Sequence, residues 1–506
     1  LSTLIDLDAV EATAELQTLP QFIGGEMVES DGDDVIDTVN PYSGKVWARV
    51  SNATATDVDR AVVAARAAFD GGWGQSTGHT RATIMRRLAV LLSENAEHLA
   101  RVESNDNGKL VRETLAVAQN LPRWFNYYAG SAERMFGSSV PVANPNYLVY
   151  TLREPIGVVA AVVPWNAPLM LFTMKVAPAL AAGCTLVVKT SEQTSASALE
   201  FAKLAAEAGL PAGVLNIITG TGQTTGRALV GHRGVDKVSF TGSTRAGVQV
   251  MKDAAENIAP VTLELGGKSA NIVFADSDLD AAANGVVASV FAAAGQMCIA
   301  GSRLLVERPI LDALVDKVVE RAGSIKQGDP FDPASEMGPL ATAEQLERVL
   351  GMLDNARADG ATLRCGGRRS QGAGVDDGYF IEPTVFTDVS QDMQIAREEI
   401  FGPVLGVYPF DTEEQAIAMA NDTEYGLAGG VWTNDLARGH RMARAVRAGT
   451  VWLNSYRVTD PAVPFGGMGA SGMGRENGDE AVDAYTETKA VWVELSGETR
   501  DPFKMG

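Results

Sequence analysis

From residue 157 onward, short wholly apolar runs alternate with longer segments whose apolar residues recur at helical spacing. Gly157–Val163 is a continuous apolar run, Leu169–Ala182 has helical spacing and ends at Gly183, and Thr185–Lys189 reads as a second strand. Ser195–Ala208 reads as a helix closed by Gly209 and Pro211, followed by a third strand at Val214–Ile218. A helix from Gly222, a strand at Val235–Phe240 and a helix from Ser243 continue the alternation. Strands that are apolar along their whole length, each followed by a helix, predict a parallel sheet covered on both faces. This is a dinucleotide-type layout, in which ligands bind off the C-terminal ends of the strands.

A second alternating set runs from about Ser269 to Val463. It includes a long helix at Asp278–Ala294, a strand at Ser302–Val306, a helix at Ile310–Ala322 and a Gly-rich loop at Cys365–Gly378. It predicts a second α/β domain. Phe136–Leu152 and Tyr485–Leu495 fit neither set, being strand-like with Val, Tyr, Thr and Trp. Paired, they would make a protruding sheet whose exposed edge invites subunit contact. No internal repeat is apparent.

Composition narrows the class. A chain of 506 residues suits two or three domains, and 46% hydrophobic with 21% charged residues is ordinary for a globular protein. The net charge of −21, from 63 acidic against 42 basic residues, disfavours nucleic acid and anionic membrane as partners. Three cysteines are too few for a disulfide scaffold, and four histidines show no metal-binding spacing, so no metal is expected. Residues 1–20 carry Asp6, Asp8, Glu11 and Glu15 and lack the pattern of a secretory leader. Gly157–Val188 is nearly all apolar, but Pro164, Pro168, Lys175 and Pro178 cut it into pieces too short to span a membrane. A soluble cytoplasmic protein of enzyme size is the expectation.

Three residues offer chemistry. Cys298 lies in Gly295-Gln-Met-Cys-Ile-Ala-Gly301, where flanking glycines admit a substrate and a deprotonated thiol would be a nucleophile. Read alone, it is more simply a cysteine filling core between Met297 and Ile299; Cys184 adjoins a buried strand, and Cys365 sits beside a Gly-rich loop without an obvious base. Glu264 closes an apolar strand before two glycines, where burial would raise its pKa towards that of a general base, unless its head reaches water. Asn166, in Val162-Val-Pro-Trp-Asn-Ala-Pro168, follows a strand and either forms a turn or aims its amide at a developing oxyanion. Weaker signals are Gly220-Thr-Gly222 with Gly226, the turn Phe240-Thr-Gly-Ser243 opening a helix suited to a pyrophosphate, and Lys189 with Glu192 for ribose hydroxyls.

Together these segments resemble the NAD(P)-dependent aldehyde dehydrogenase superfamily, of the non-phosphorylating, hydrolytic type. The motifs are PWNAPLM at 164–170, KTSEQT at 189–194, FTGST at 240–244, LELGGK at 263–268, GQMCIAG at 295–301, EEIFGPV at 398–404 and PFGGMGASGMGRENG at 464–478. The resemblance implies a Rossmann-like cofactor domain over residues 1–133 and 153–266, a catalytic domain over 267–463, and an oligomerisation segment over 134–152 and 480–506. It implies that Cys298 attacks the aldehyde, that Asn166 and the Cys298 N–H hold the oxyanion, and that Glu264 activates the water that resolves a thioester. Lys175 and Glu476 match positions behind the base. Trp165, Lys189, Glu192, Gly222, Gly226, Phe240, Gly242, Ser243, Leu265, Glu399 and Phe401 match cofactor contacts, with NAD preferred over NADP because Glu192 would repel a 2′-phosphate. Ala167, Leu171, Met174, Met297, Ile299 and Phe465 would line the substrate tunnel. A homodimer or homotetramer is expected.

Two positions depart from the family pattern: Thr190 stands where proline is usual, and Gly469 replaces the usual lysine. An acyl-CoA-forming enzyme and a non-catalytic structural protein of the same fold are the rival readings. Glu264 argues against the first, and the complete set of Cys298, Glu264 and Asn166 against the second. Arg457, in the loop matching the family's substrate entrance, and Arg123 would together favour an aldehyde bearing a carboxylate. In the competing arrangement Arg457 pairs with Asp460 in its own loop.

Overall fold

The computed structural model describes residues 16–498 without interruption, together with residues 4, 5, 7, 501 and 503. The reading of residues 1–20 and the outer ends of the 1–133 and 480–506 segments therefore lie partly outside the described residues.

The first alternating set forms the middle of an eight-stranded sheet. Its order is Gly472–Met473, Val261–Glu264, Lys237–Thr241, Val158–Val162, Thr185–Lys189, Leu215–Ile218, Gln21–Ile23, Glu26–Val28. The strands from Val261–Glu264 to Leu215–Ile218 pair in parallel, and those at both edges pair antiparallel. Lys237–Thr241 pairs beside Val158–Val162 on the side away from Thr185–Lys189, so the strand order reverses there. Such a switch point opens a crevice beyond the carboxyl ends of the strands. Asn166 follows one of those two strands and Ser243 the other.

The second set forms a seven-stranded sheet of order Thr362–Cys365, Thr384–Thr387, Val404–Phe410, Arg303–Glu307, Ala270–Val273, Ala428–Trp432, Thr450–Leu453. It is parallel except for its first pair. Two three-stranded sheets complete the fold. One joins Thr18–Leu19, Lys45–Ser51 and Val35–Asn40. The other joins Thr486–Glu494, Tyr147–Pro155 and Ser139–Val140, with Thr486 opposite Pro155 and Glu494 opposite Tyr147. The two segments that fitted neither domain thus pair, as their composition predicts. The fold is of the expected α/β class.

Two helices differ from expectation. The helix from Gly222 is a π-helical turn over Gly222–Gly226 followed by a short helix at Arg227–Val230. The helix expected to reach Ala294 stops at Val290, because Ala293 and Ala294 adopt left-handed backbone with φ of 51° and 52°. Alanine favours a helix, but the Ala293 N–H is drawn away to the carboxylate of Glu113, at 3.2 Å. No helix among the described residues is long and apolar enough to cross a membrane.

Candidate active site

The site gathers at the C-terminal ends of the first sheet and is closed by loops of the second. Glu264 is the last residue of its strand, 3% exposed, and neither carboxylate oxygen has a hydrogen-bond partner among the described residues. Burial holds its carboxyl well above the usual range; the charge of Glu476 adds to this, while Lys175 and Arg475 oppose it. A buried, unsatisfied acid is costly to keep, and it is the state in which a carboxyl is poised to take a proton near neutrality.

The next turn ties this acid to the cysteine. A Cβ at Gly267 would lie 2.4 Å from the carbonyl oxygen of Cys298, so only glycine allows the two backbones to touch. Ser471 fixes the turn from the other side. Its hydroxyl donates to the Gly266 carbonyl at 2.6 Å and accepts from the Gly426 N–H at 3.0 Å, and its carbonyl accepts from the Leu265 N–H at 3.0 Å. Cys298 is half-buried in a loop after the left-handed residues and is a free thiol. Burial pushes that thiol up to about 12, and the charges of Glu399 and Glu264 add to the effect.

Asn166 is 8% exposed, and its side-chain amide donates to the Gln296 carbonyl at 2.9 Å. A carboxamide has a second N–H to give. Gln296 is itself held, its Oε1 accepting from Ala341 N–H at 2.8 Å. The strand-following asparagine and the loop before the thiol are therefore bonded directly, a link that local sequence does not reveal. Lys175 and Glu476 are buried and form an ion pair, with the ammonium also donating to Ser239 Oγ at 3.2 Å.

Ala167, Leu171, Met174, Met297, Ile299 and Phe465 all join or pack against one apolar cluster that also receives Cys298. Arg457 does not pair with Asp460. Arg123 does, at 2.7 Å, which removes Arg123 as a free cation at the entrance.

Of the residues matched to cofactor contacts, Trp165 follows one strand at the switch point, and Gly242 and Ser243 follow the other. Ser243 caps the helix Thr244–Ala255, its hydroxyl accepting from the Ala246 N–H. Gly242 follows Phe240 so closely that a Cβ would meet the Phe240 ring at 2.5 Å. Gly222 and Gly226 open and close the π-helical turn, and a Cβ at Gly222 would find nothing within 4 Å. Lys189 donates to Glu192 at 3.0 Å and is otherwise buried. Trp165 and Phe401 meet edge to face at 5.3 Å. Leu265 is buried against Gly247 of the capped helix. Glu399 accepts from the Gly267 N–H at 3.1 Å, and burial pushes its carboxyl up to about 7. A capped helix N-terminus, an open glycine backbone and a paired donor and acceptor fit the phosphate and ribose groups of a dinucleotide.

Gly469, where the family resemblance leads one to expect lysine, has φ of 59°, and a Cβ there would sit 2.6 Å from the Glu424 carbonyl oxygen. A side chain is excluded by this loop conformation, which holds without one. Sequence reasoning missed Gln296, Ser471 and Ser239. It also missed Lys268, whose buried ammonium has no hydrogen-bond partner among the described residues and is pulled down to about 7 by burial. Among the described residues no group of His, Cys, Asp and Glu could hold a metal ion.

Residues 27–491 match the aldehyde dehydrogenase family model. The chain is 46% identical over 494 residues to (Z)-2-((N-methylformamido)methylene)-5-hydroxybutyrolactone dehydrogenase of Acinetobacter baylyi, covering 97% of this chain and 100% of that protein. It is 43% identical over 486 residues to aldehyde dehydrogenase family 2 member C4 of Arabidopsis thaliana, covering 95% and 96%. Among solved structures it is similar to betaine aldehyde dehydrogenase of Staphylococcus aureus in complex with NAD+, with a TM-score of 0.96 and 39% identity over 98% of this chain and 99% of that one. The chain belongs to the aldehyde dehydrogenase family and is an NAD(P)-dependent aldehyde dehydrogenase.

Proposed function

We propose that Cys298 is the nucleophile of this enzyme, Asn166 the oxyanion donor and Glu264 the general base. The observation that carries this reading is the Glu264 carboxyl, buried with both oxygens unpartnered, on a turn whose backbone touches that of Cys298. Cys298 Sγ bonds to the aldehyde carbon while its proton passes to Glu264. The oxygen takes the carbonyl electron pair and is held by the free Asn166 N–H and the Cys298 N–H. When bound, NAD supplies the acceptor for the hydride lost from that carbon. Cys298 then carries a thioester. Glu264 releases that first proton to solvent, then takes a proton from water as the water oxygen bonds to the acyl carbon, and returns it to the Cys298 sulfur as the C–S bond breaks and the carboxylic acid is released. Lys175 and Glu476, behind the base, act on its charge rather than on substrate.

The tests are Cys298→Ala, expected to abolish steady NADH formation, and Glu264→Gln. The latter is expected to keep a single-turnover burst better than the steady rate. Near-normal turnover in the alanine variant refutes the nucleophile.

NAD is preferred over NADP in this reading. Glu192 accepts from Lys189 and would accept from ribose hydroxyls, while its charge opposes a 2′-phosphate. Equal kcat/KM for the two cofactors refutes Glu192 as the selector. The eight-stranded sheet is the core of the cofactor domain and the seven-stranded one that of the catalytic domain. Subunits associate through the sheet of Tyr147–Pro155 and Thr486–Glu494, where Leu148, Leu152, Trp492 and Val493 are exposed. A monomer in sedimentation at micromolar concentration refutes that assembly.

A further inference from the structure

Two buried acids, Glu103 and Asp106, take no part in the chemistry above, and both lie on one helix. Each is 1% exposed, and they stand three residues apart on Ala96–Asn107, so they share a face of it. The helix is fastened around them. Asn105 Oδ1 accepts from Asn40 Nδ2 at 2.6 Å, the hydroxyls of Ser104 and Thr114 lie 2.7 Å apart, and Gly108 ends the helix with a left-handed φ of 76°.

Each acid reaches the start of a different helix. Glu103 Oε2 accepts from the Leu169 N–H at 2.9 Å, in the first turn of Pro168–Ala182, the helix that follows Asn166. Asp106 Oδ2 accepts from the Ala196 N–H at 3.1 Å, at the first residue of Ala196–Glu207. Neither helix caps itself. Ala167 has no polar side chain to offer, and the Ser195 hydroxyl is turned back to the Ser191 carbonyl at 2.8 Å. An uncapped first turn has N–H groups in need of an acceptor, and an acid supplied from elsewhere in the chain fixes where the helix begins.

The residues just before these helices belong to the site. Asn166 lies two residues before Pro168. Lys189 and Glu192 lie on the turn that ends at Ser195, and the turn is folded onto that residue: Thr190 Oγ1 lies 2.8 Å from Ser195 Oγ, and the Thr194 N–H donates to the Ser191 carbonyl at 3.1 Å. The Thr190 N–H donates to the Ile218 carbonyl at 3.3 Å, a bond that the usual proline could not make. The two turns leave neighbouring strands, with Val162 paired to Lys189. One helix thus holds the segment of the oxyanion donor with one carboxyl and that of the ribose-binding pair with the other. Burial pushes both carboxyls up, that of Asp106 to about 8. An uncharged carboxamide keeps the accepting oxygen that each helix start uses.

We propose that Glu103 and Asp106 are positioning residues, Glu103 for Asn166 and Asp106 for Lys189 and Glu192, so that one helix braces the oxyanion and cofactor turns together. The proposal rests on the roles given above to Asn166, Lys189 and Glu192.

The experiment uses the whole enzyme and two readouts: the rate of the single-turnover NADH burst at saturating NAD, with the fastest of a set of aliphatic and aromatic aldehydes, and the Kd for NAD by calorimetry. Glu103→Met should slow the burst about ten- to a hundredfold and leave Kd within about twofold. Asp106→Ala should raise Kd about five- to tenfold and leave the burst within about twofold. Glu103→Gln and Asp106→Asn should retain most of both. Where a removal variant does not fold, Glu103→Asp and Asp106→Ser, which withdraw the accepting oxygen, should show the same split. Equal losses in both readouts, a reversed split, or carboxamide variants as impaired as the removal variants would mean that the acids only stabilise the fold, and would overturn the proposal. Asn166→Ala and Glu192→Ala are the references. A normal burst in the first or a normal Kd in the second refutes the roles of those residues and the brace with them; impaired references without a split in the helix variants refute the brace alone.

Discussion

Alkylation of Cys298 by iodoacetamide, followed across pH without added cofactor, measures how strongly the site opposes a thiolate. Burial, helped by Glu399 and Glu264, pushes the thiol up to about 12 from an ordinary value of 9.0. At pH 7.5 that leaves roughly one molecule in 30,000 ionised, against about one in 30 for an ordinary thiol. The more basic thiolate is also the better nucleophile. With a Brønsted coefficient of about 0.4–0.5, this restores roughly 20–30-fold. Cys298 is therefore expected to react about 30–60 times more slowly than a small thiol at pH 7.5. The logarithm of its rate should climb with unit slope beyond pH 9.

The assay must resolve peptides by mass, because Cys184 and Cys365 are also free thiols. Glu264→Gln removes one of the opposing charges and should speed alkylation at pH 8–9. A plateau below about pH 8.5, a rate at pH 7.5 matching that of a small thiol, or a slower Glu264→Gln variant would each refute the reasoning. Any of these would mean that the resting site favours the thiolate.

Two further predictions follow from the same turn. Gly267→Ala places a Cβ 2.4 Å from the Cys298 carbonyl, so kcat/KM should fall about a hundredfold while far-UV circular dichroism is unchanged; normal kinetics would mean that the contact does not position the thiol. Because the Glu264 carboxyl is raised in the folded enzyme, its contribution to stability is present below the unfolded pKa and lost as pH rises through the folded one. Glu264→Gln should therefore gain in Tm relative to the wild type between pH 5 and pH 8, and a gain that shrinks over that range would contradict the raised carboxyl.

The parallel core was legible because its strands are buried on both faces and read as unbroken apolar runs. Thr185–Lys189 and the helix ending at Ala182 fall where the pattern puts them. The edge strands Gln21–Ile23, Glu26–Val28 and Gly472–Met473 are too short to display a period of two. The break at Ala293 was hidden for a different reason. A run of alanines is locally helical, and what turns it is Glu113, 180 residues away. The same holds for the site: single residues such as Cys298 and Glu264 sit in recognisable motifs, while Gln296 and Ser471 matter through contacts that only the fold creates. Arg457 illustrates the limit, since its loop was identifiable but its partner was not.

The buried pair behind the base supplies a test with two opposite signs. After burial, Glu476 is the largest influence raising the Glu264 carboxyl, and Lys175 acts against it. Glu476→Gln removes the repelling charge and leaves Lys175 to favour ionised Glu264, so the acidic limb of the deacylation rate should move to lower pH. Lys175→Met removes the attracting charge and leaves Glu476 alone, so the limb should move to higher pH. Breaking a buried pair also costs stability, about 3–5 kcal/mol for one partner, but that loss has the same sign in both variants. The direction of the pH shift therefore separates electrostatic tuning of the base from damage to the fold. Single-turnover acid release measured from pH 5 to pH 9 decides between them. Shifts in the same direction, or a fall in rate with no shift in either variant, would mean that Lys175 and Glu476 only hold the strands together and that Glu264 is set by burial alone.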